Sequence, residues 1–313
     1  MSTFFLEPVA PFRLDLTVWT LRRRPHNLID RWDGETYRRV LTLTGGPVEV
    51  AVIQTGPPAA PRLRVTVHDT PLRPKDKQVV AAALERLLGY RIDLAAFYHL
   101  VSGDADLGPL VQRFRGMKPP RFPSVFEGIV NGIACQQLTL TLGIHLLNRL
   151  GENYGLAMAA DSGHAFPRPE DLANLVPEVL QPLGISHQKG RAMIELARLG
   201  VAGRADLEGL AAHSDGEALA RFCELRGVGR WTAEYVLLRS LGRLQVFPGD
   251  DVGARNNLQR WLGLAKPLDY AGVGRVLARW QPYPGLAYFH LLLDRLVEAG
   301  NVQAVTSTGS MKT

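Results

Sequence analysis

The stretch "LRGVGRWTAEYVLLRSLGRLQVFPGDDVGAR", residues 225–255, places a tight glycine turn ahead of a helix-like run and closes on two adjacent aspartates. A helix ending before Arg226, a Gly227-Val228-Gly229 turn and a second helix opening near Arg230 make a helix–turn–helix corner. Gly227 and Gly229 permit backbone angles barred to other residues and carry no side chain to block a close approach. Such a turn points bare N–H groups outward from a helix N-terminus, which suits a phosphate. Arg226 and Arg230 add positive charge at the same spot. On the G-x-G alone, a structural corner without a ligand is the better reading. Asp250 and Asp251 repel each other as neighbours, so at least one of them needs a specific task.

Bulk composition narrows the class. The chain has 313 residues, 46% apolar and 21% charged, ordinary for a globular protein of two or three domains. No apolar run is long enough for a membrane span. The start "MSTFFLEPVAPFRLDL" has no basic segment followed by a long apolar stretch, so no signal peptide is expected. Two cysteines, Cys135 and Cys223, supply neither a disulfide framework nor the four thiolates of an iron–sulfur cluster, and a reducing cytoplasm is the expected location. Lys and Arg total 36 against 30 acidic residues, a formal charge of +6. That surplus tilts the expectation slightly toward an anionic partner.

The first hundred residues read as a sheet. "RLDLTVWTL" (13–21) alternates, with Leu14, Leu16 and Val18 on one face, and predicts a half-buried strand. "RRVLTLTGGPVEVAVIQTG" (38–56) predicts two strands joined at Gly45-Gly46, and "PRLRVTVHD" (61–69) a third. "PKDKQVVAAALERLLGY" (74–90) switches to helical spacing. From about residue 92 strand signals nearly vanish. "SVFEGIVNGIACQQLTLTLGIHLLNRLGENYG" (124–155) predicts a long buried helix or helix pair ended by Gly151 and Gly155. In "FPRPEDLANL" (166–175) Pro169 suits a first helical turn, and Glu170 and Asp171 suit the dipole. Short helices are expected over 186–200, 206–214, 215–225, 270–280 and 286–300. The expected fold class is α+β: an N-terminal antiparallel sheet domain with helices over 1–92, a mostly helical body over 93–302 with the hairpin at 225–232, and a frayed polar tail over 303–313.

Leu225-x-Gly227-Val228-Gly229-x-x-Thr232-Ala233, followed some twenty residues on by an aspartate, resembles the helix-hairpin-helix DNA glycosylase superfamily. The resemblance implies that the amides of Gly227, Gly229 and Thr232 grip a DNA phosphate beside Arg226 and Arg230. It implies too that the carbonyls of Cys223, Leu225 and Val228 hold a monovalent cation, Na⁺ or K⁺. A catalytic aspartate is expected at the start of the next helix. Asp251, twenty residues past Trp231, has that spacing, which leaves Asp250 as the N-cap of the helix. Bifunctional lyases of the superfamily place a lysine nucleophile where this chain has Trp231, so no Schiff base is expected at that position. Trp231-Thr-Ala-Glu-Tyr235 is similar to the bacterial 3-methyladenine DNA glycosylase II family, in which both aromatics line the base pocket. "FEGIVNGIACQQ", "FPRPEDLA", "LGISHQKGRAMIELA" and "RWQPYPGLAYFHLLL" resemble further segments of that family, with Tyr283 standing where it commonly has tryptophan. The likeness covers roughly residues 120–300.

What the resemblance implies is a monofunctional glycosylase that hydrolyses the N-glycosidic bond of alkylated purines, 3-methyladenine above all, in damaged double-stranded DNA. It would be a monomer in the bacterial cytoplasm, at the nucleoid, with no catalytic cofactor. Two alternatives stand beside it: release of oxidised or deaminated purines, and a non-catalytic module that only binds DNA through the hairpin. Gln136 and Gln137 sit in an apolar run where a buried amide is costly unless bonded. The family has a gap-filling wedge hereabouts, aligned with Gln137, where relatives often carry an aliphatic residue. Tyr283 reads equally as pocket or core, and Cys135 as a small buried filler. Lys189, Arg191 and Arg22 to Arg24 read as phosphate contacts or as solvated faces. The eight histidines show no metal-ligand spacing.

Overall fold

The computed structural model describes residues 1–67, 71–158 and 163–302. Strands β1 (Ser2–Leu6), β2 (Arg31–Trp32), β3 (Thr36–Leu43), β4 (Gly46–Gln54) and β5 (Leu63–Val67) form one antiparallel sheet in the order β1-β5-β4-β3-β2. β3 and β4 make the hairpin expected at Gly45-Gly46, with Leu43 paired to Gly46 and Tyr37 to Val52. Alternation in β5 turns Leu63, Val65 and Val67 inward and leaves Arg64 exposed. Helix α1 (Leu14–Arg22) and helix α2 (Pro74–Leu88) complete the core over the sheet.

The strand expected over 13–21 is wrong, because this segment is α1. Leu14, Val18 and Leu21 face the sheet core while Leu16 faces the helical body. A helix buried on two sides loses the polar stripe from which a period of 3.6 is read, and its apolar residues then mimic alternation. β1 and the two-residue β2 carried no sequence signal that was read.

The body is built from α3 (Ala95–Val101), α4 (Leu107–Arg113), α5 (Val125–Cys135), α6 (Leu140–Tyr154), α7 (Pro169–Leu172), α8 (His187–Val201), α9 (Asp215–Cys223), α10 (Arg230–Arg239), α11 (Val252–Trp261), α12 (Tyr270–Leu277) and α13 (Pro284–Glu298). The run 124–155 is a helix pair, α5 and α6. Gly151 lies inside α6 and only Gly155 stands at its end. Residues Glu208–Ala212 form a 3₁₀ turn where a short helix was expected. The frayed tail expected over 303–313 lies outside the described residues. Among the described residues, no helix is long and apolar enough to cross a membrane.

Two apolar cores fill the body, one around α5, α6, α8 and α10, the other around α3, α4, α12 and α13. α10 is the partition between them: Val236 and Leu237 pack into the first, Leu238 into the second. Every residue from Thr232 to Arg239 is buried, polar ones included.

A buried ion cluster ties the sheet to the body. Arg39 on β3 donates to both carboxylate oxygens of Glu127 on α5, each at 2.6 Å, and to Asp30 at 2.7 Å. Tyr37 donates its hydroxyl to the same Asp30 oxygen at 2.8 Å. Burial pushes the Glu127 carboxyl up, and the Arg39 guanidinium opposes that push. Ion pairs of this kind add little over a well-packed apolar substitute, but losing one partner strands the other charges in the interior. Arg39→Met should therefore lower unfolding free energy by about 3–5 kcal/mol, read by urea denaturation, with Glu127→Gln milder because an amide keeps one acceptor.

Candidate active site

The glycine turn is built as its sequence requires. Gly227 has φ +77°, a conformation that costs other residues energy, and a Cβ there would stand 2.8 Å from the Ala192 side chain. Gly229 is the N-cap of α10 with no capping side chain, and a Cβ on it would meet nothing within 4 Å. The first intrahelical bond runs from Ala233 N–H to the Gly229 carbonyl at 2.9 Å. The amides of Arg230, Trp231 and Thr232 therefore precede any intrahelical acceptor, at the positive end of the helix dipole.

Gln136 braces this turn. It does not sit inside an apolar helix as expected, because α5 ends at Cys135. Its amide donates to the Gly227 carbonyl at 2.7 Å and to the Thr232 hydroxyl at 2.9 Å, which satisfies its N–H groups. Gln137 follows with φ +55° and is exposed beside Leu138, in the turn between α5 and α6. The two arginines of the turn both have protein partners. Arg226 donates to Glu195 at 2.6 Å, and the Arg230 guanidinium lies 5.0 Å from the centre of the Tyr270 ring.

One helical turn into α10 the chain reaches a cavity of about 420 Å³, walled by Trp231, Tyr235, Phe247, Tyr288, Arg23 and Asp251 among others. Trp231 and Tyr235, four residues apart, stack with ring centres 5.7 Å apart. The Tyr235 hydroxyl donates to the Asn131 side-chain oxygen at 3.0 Å and accepts from Arg23 at 2.8 Å. Burial pushes the Tyr235 and Tyr288 phenols up, so both remain neutral. A groove past Gln137, Val252 and Gly253 leads from the surface to the same Trp231–Asp251 pair.

Asp251 is gripped at both oxygens. Its Oδ1 accepts from the Ala254 amide at 2.9 Å, and its Oδ2 from the Trp231 indole at 3.2 Å. Asp251 itself is thus the N-cap of α11, which corrects the assignment of that role to Asp250. Asp250 is exposed and borders the outer groove. The approach to Asp251 is pinned by Glu234, which accepts from the Gly249 amide at 3.1 Å and the Tyr270 hydroxyl at 2.5 Å. Gly249 carries no Cβ for a reason: one would lie 2.8 Å from the Tyr270 ring.

Some expected residues lie elsewhere. Tyr283 is not at the cavity; it precedes α13 and meets Phe97 edge-on, ring centres 5.6 Å apart. Tyr288, one turn further along α13, reaches the cavity instead. The three arginines 22 to 24 form no common solvated face. Arg22 and Arg23 are buried, and only Arg24 lies near the surface, donating to the Thr141 hydroxyl at 3.2 Å. Lys189 donates to the carbonyls of Ala134 and Gln136, closing the end of α5, and Arg191 pairs with Glu195. Cys135 is half-buried and borders the cavity. Phe247 and Tyr288 carry no sequence signal of a site, since neither stands within a spaced motif, and Arg23, read as a phosphate contact or solvated face, lines the cavity instead. Among the described residues, no cluster of three or more His, Cys, Asp or Glu could hold a metal ion. Cys223, Leu225 and Val228 line a groove under the hairpin, where the Leu225 carbonyl accepts the Val228 amide at 3.1 Å and keeps a second lone pair.

Comparison with known proteins identifies the family and the fold. Residues 130–282 match the family described as HhH-GPD superfamily base excision DNA repair protein. The chain is 27% identical over 201 residues to the DNA-3-methyladenine glycosylase of Bacillus subtilis, covering 64% of this chain and 66% of that one. It is 30% identical over 260 residues to the probable bifunctional transcriptional activator/DNA repair enzyme AlkA of Mycobacterium tuberculosis, covering 82% of this chain and 49% of that one. The chain thus spans less than two thirds of the length of either curated relative. In fold it is similar to the 3-methyladenine DNA-glycosylase from Archaeoglobus fulgidus, with TM-score 0.81, 24% identity, and coverage of 94% of this chain and 99% of that one.

The two glycines of the turn should separate on substitution. Gly227→Ala meets both a positive φ and Ala192, and should lower stability by more than about 1 kcal/mol. Gly229→Ala, in extended backbone and open space, should cost less. Thermal unfolding of the two variants side by side checks the order.

Proposed function

Since the chain belongs to the helix-hairpin-helix glycosylase superfamily, we propose that it is a monofunctional DNA glycosylase that hydrolyses the N-glycosidic bond of alkylated purines of the 3-methyladenine type in double-stranded DNA. The observation that carries this reading is the Asp251 carboxylate at the wall of an aromatic cavity one helical turn from a bare helix N-terminus.

A DNA phosphate docks on the amides after Gly229, where the missing side chain lets the backbone approach. A monovalent cation under the turn, on the carbonyls of Cys223, Leu225 and Val228, would stiffen it and add positive charge, and the groove with its spare carbonyl lone pair fits such an ion. The target nucleotide leaves the stack and its base enters the cavity against Trp231, Tyr235 and Tyr288. An alkylated purine carries positive charge and gains from the faces of these rings. Gln137 and Leu138, exposed at the cavity mouth, stand where a residue would fill the gap left in the duplex.

Bond cleavage sends the C1′–N electron pair to the base and leaves an oxocarbenium-like sugar. Asp251, fixed by Ala254 and Trp231, supplies a negative charge that does not need to reorganise when the sugar becomes positive. Water then adds through oxygen at C1′ and releases a proton. Among the described residues no lysine lines the cavity, and by the resemblance Trp231 stands at the position of the lyases' amine. Hydrolysis without strand cleavage follows. One hairpin and one cavity suffice, and a monomer is the working unit.

Asp251→Asn is the direct test, because the asparagine oxygen still caps α11 through the Ala254 amide as aspartate does, while the negative charge and the Trp231 bond are lost. Base release from 3-methyladenine duplexes should fall by about 100-fold or more, while binding to an abasic-analogue duplex stays near wild type. Release at the wild-type rate would remove Asp251 from the chemistry. Borohydride should trap no covalent enzyme–DNA complex, and a trapped complex would refute the monofunctional reading. Duplex binding should weaken steeply with added salt, as phosphate contacts require.

A further inference from the structure

The charge on the cavity wall is not what a receptor for cations alone would carry. Asp251 is the one carboxylate among the described lining residues, and it faces three guanidinium groups, those of Arg23, Arg24 and Arg295. Arg295 is paired with Glu298 and Arg24 is half turned to the surface, bonded to Thr141. Arg23 differs from both. It is 3% exposed, and its direct hydrogen-bond partners are neutral, the Tyr235 hydroxyl at 2.8 Å and the Asn131 oxygen at 2.9 Å. Its Nε is buried without a partner. The residue is held there by an unusual backbone: Arg23 ends α1 with φ +60°, its amide bonded to the Trp19 carbonyl and its carbonyl taken by Arg24. A buried guanidinium that lines the cavity and has only neutral direct partners keeps its positive charge at the cavity wall.

Resting on the glycosylase reading, we infer that Arg23 selects by base charge, serving purines that are uncharged in DNA and carry an acceptor on their edge. The reason lies in the electron balance of the bond that breaks. When the C1′–N9 pair goes to a cationic alkylated base, the base leaves neutral and develops no negative charge. When it goes to an uncharged purine, the base leaves as an anion, and the proton that neutralises it comes later from the water that adds at C1′. A fixed guanidinium beside the leaving base stabilises that second path in the transition state. On the first path it does the opposite in the ground state, because it repels the cation. The aromatic walls serve both kinds of base, so Arg23 is the group through which they are told apart.

The test uses two duplexes, one with hypoxanthine (neutral, 6-oxo) and one with 7-methylguanine (cationic), in single-turnover assays of the full chain. Arg23→Gln should slow hypoxanthine release roughly 100-fold, as loss of one preorganised donor does, and change 7-methylguanine release by less than about threefold. Arg23→Lys, which keeps the charge, should retain more hypoxanthine release than Arg23→Gln. The ratio of the two rates is the readout, because damage to folding lowers both alike. Equal loss on both duplexes would make Arg23 a mere brace for Tyr235 and overturn the inference. A measurement on the unmodified protein guards against a variant that does not fold: its rate enhancement over spontaneous depurination should be at least about tenfold larger for hypoxanthine than for 7-methylguanine. An equal or smaller enhancement overturns the inference while leaving the glycosylase reading in place. Release of neither base, nor of 3-methyladenine, overturns both.

Discussion

The Asp251 carboxylate is held at both oxygens, and most of the helical body is arranged around that hold. One oxygen satisfies an amide that the start of α11 would otherwise leave bare. The other takes the indole N–H of Trp231. Trp231 is fixed by its stack on Tyr235, and Tyr235 by Asn131 and Arg23. The chain entering Asp251 is pinned at Gly249 by Glu234. Since Trp231, Glu234 and Tyr235 all stand on α10, the carboxylate inherits its position from that one helix. A long loop between α10 and α11 would otherwise let it wander.

Legibility from sequence tracked how local each signal was. The turn and its helix could be read because glycine spacing and the Trp231/Tyr235 interval are fixed within a few residues of chain. The hairpin of β3 and β4 was legible for the same reason. α1 was not, because a helix packed between two cores carries no polar stripe. The N-cap expected at Asp250 falls on Asp251 because it depends on where α11 begins, and element boundaries are the least local feature of a sequence. Tyr283 and Tyr288 lie on successive turns near the start of α13, and only the direction of that helix decides which one meets the cavity. Arg23 was hidden in a run of three arginines whose fates the backbone divides.

The sheet contributes to the site as well as to the fold. α1 ends in Arg23 at the cavity wall, and β3 supplies Arg39 to Glu127 on α5. α5 in turn carries Asn131, one helical turn past Glu127 on the same helix and bonded to both Arg23 and Tyr235. The buried ion cluster therefore fixes the depth of α5 against the sheet, and that depth sets the distance between Asn131 and Arg23. An apolar substitute packs as well as the cluster but carries no directional bonds to set that register, which gives the buried charges a positional use beyond stability.

α10 carries both ends of the site. The amides at the start of the helix and the Trp231 indole lie within one turn, about 5 Å of rise. On the proposed reading, the phosphate seated at Gly229 and the sugar seated over Asp251 are both positioned by α10. The two grips are then a single measuring device, because α10 is buried from Thr232 to Arg239 and cannot shift one grip without the other. Gln136, bonded to Gly227 and Thr232, ties the loop at the cavity mouth to the same ruler. On the same reading, a residue entering the duplex from that loop would be tied to the turn that holds the phosphate.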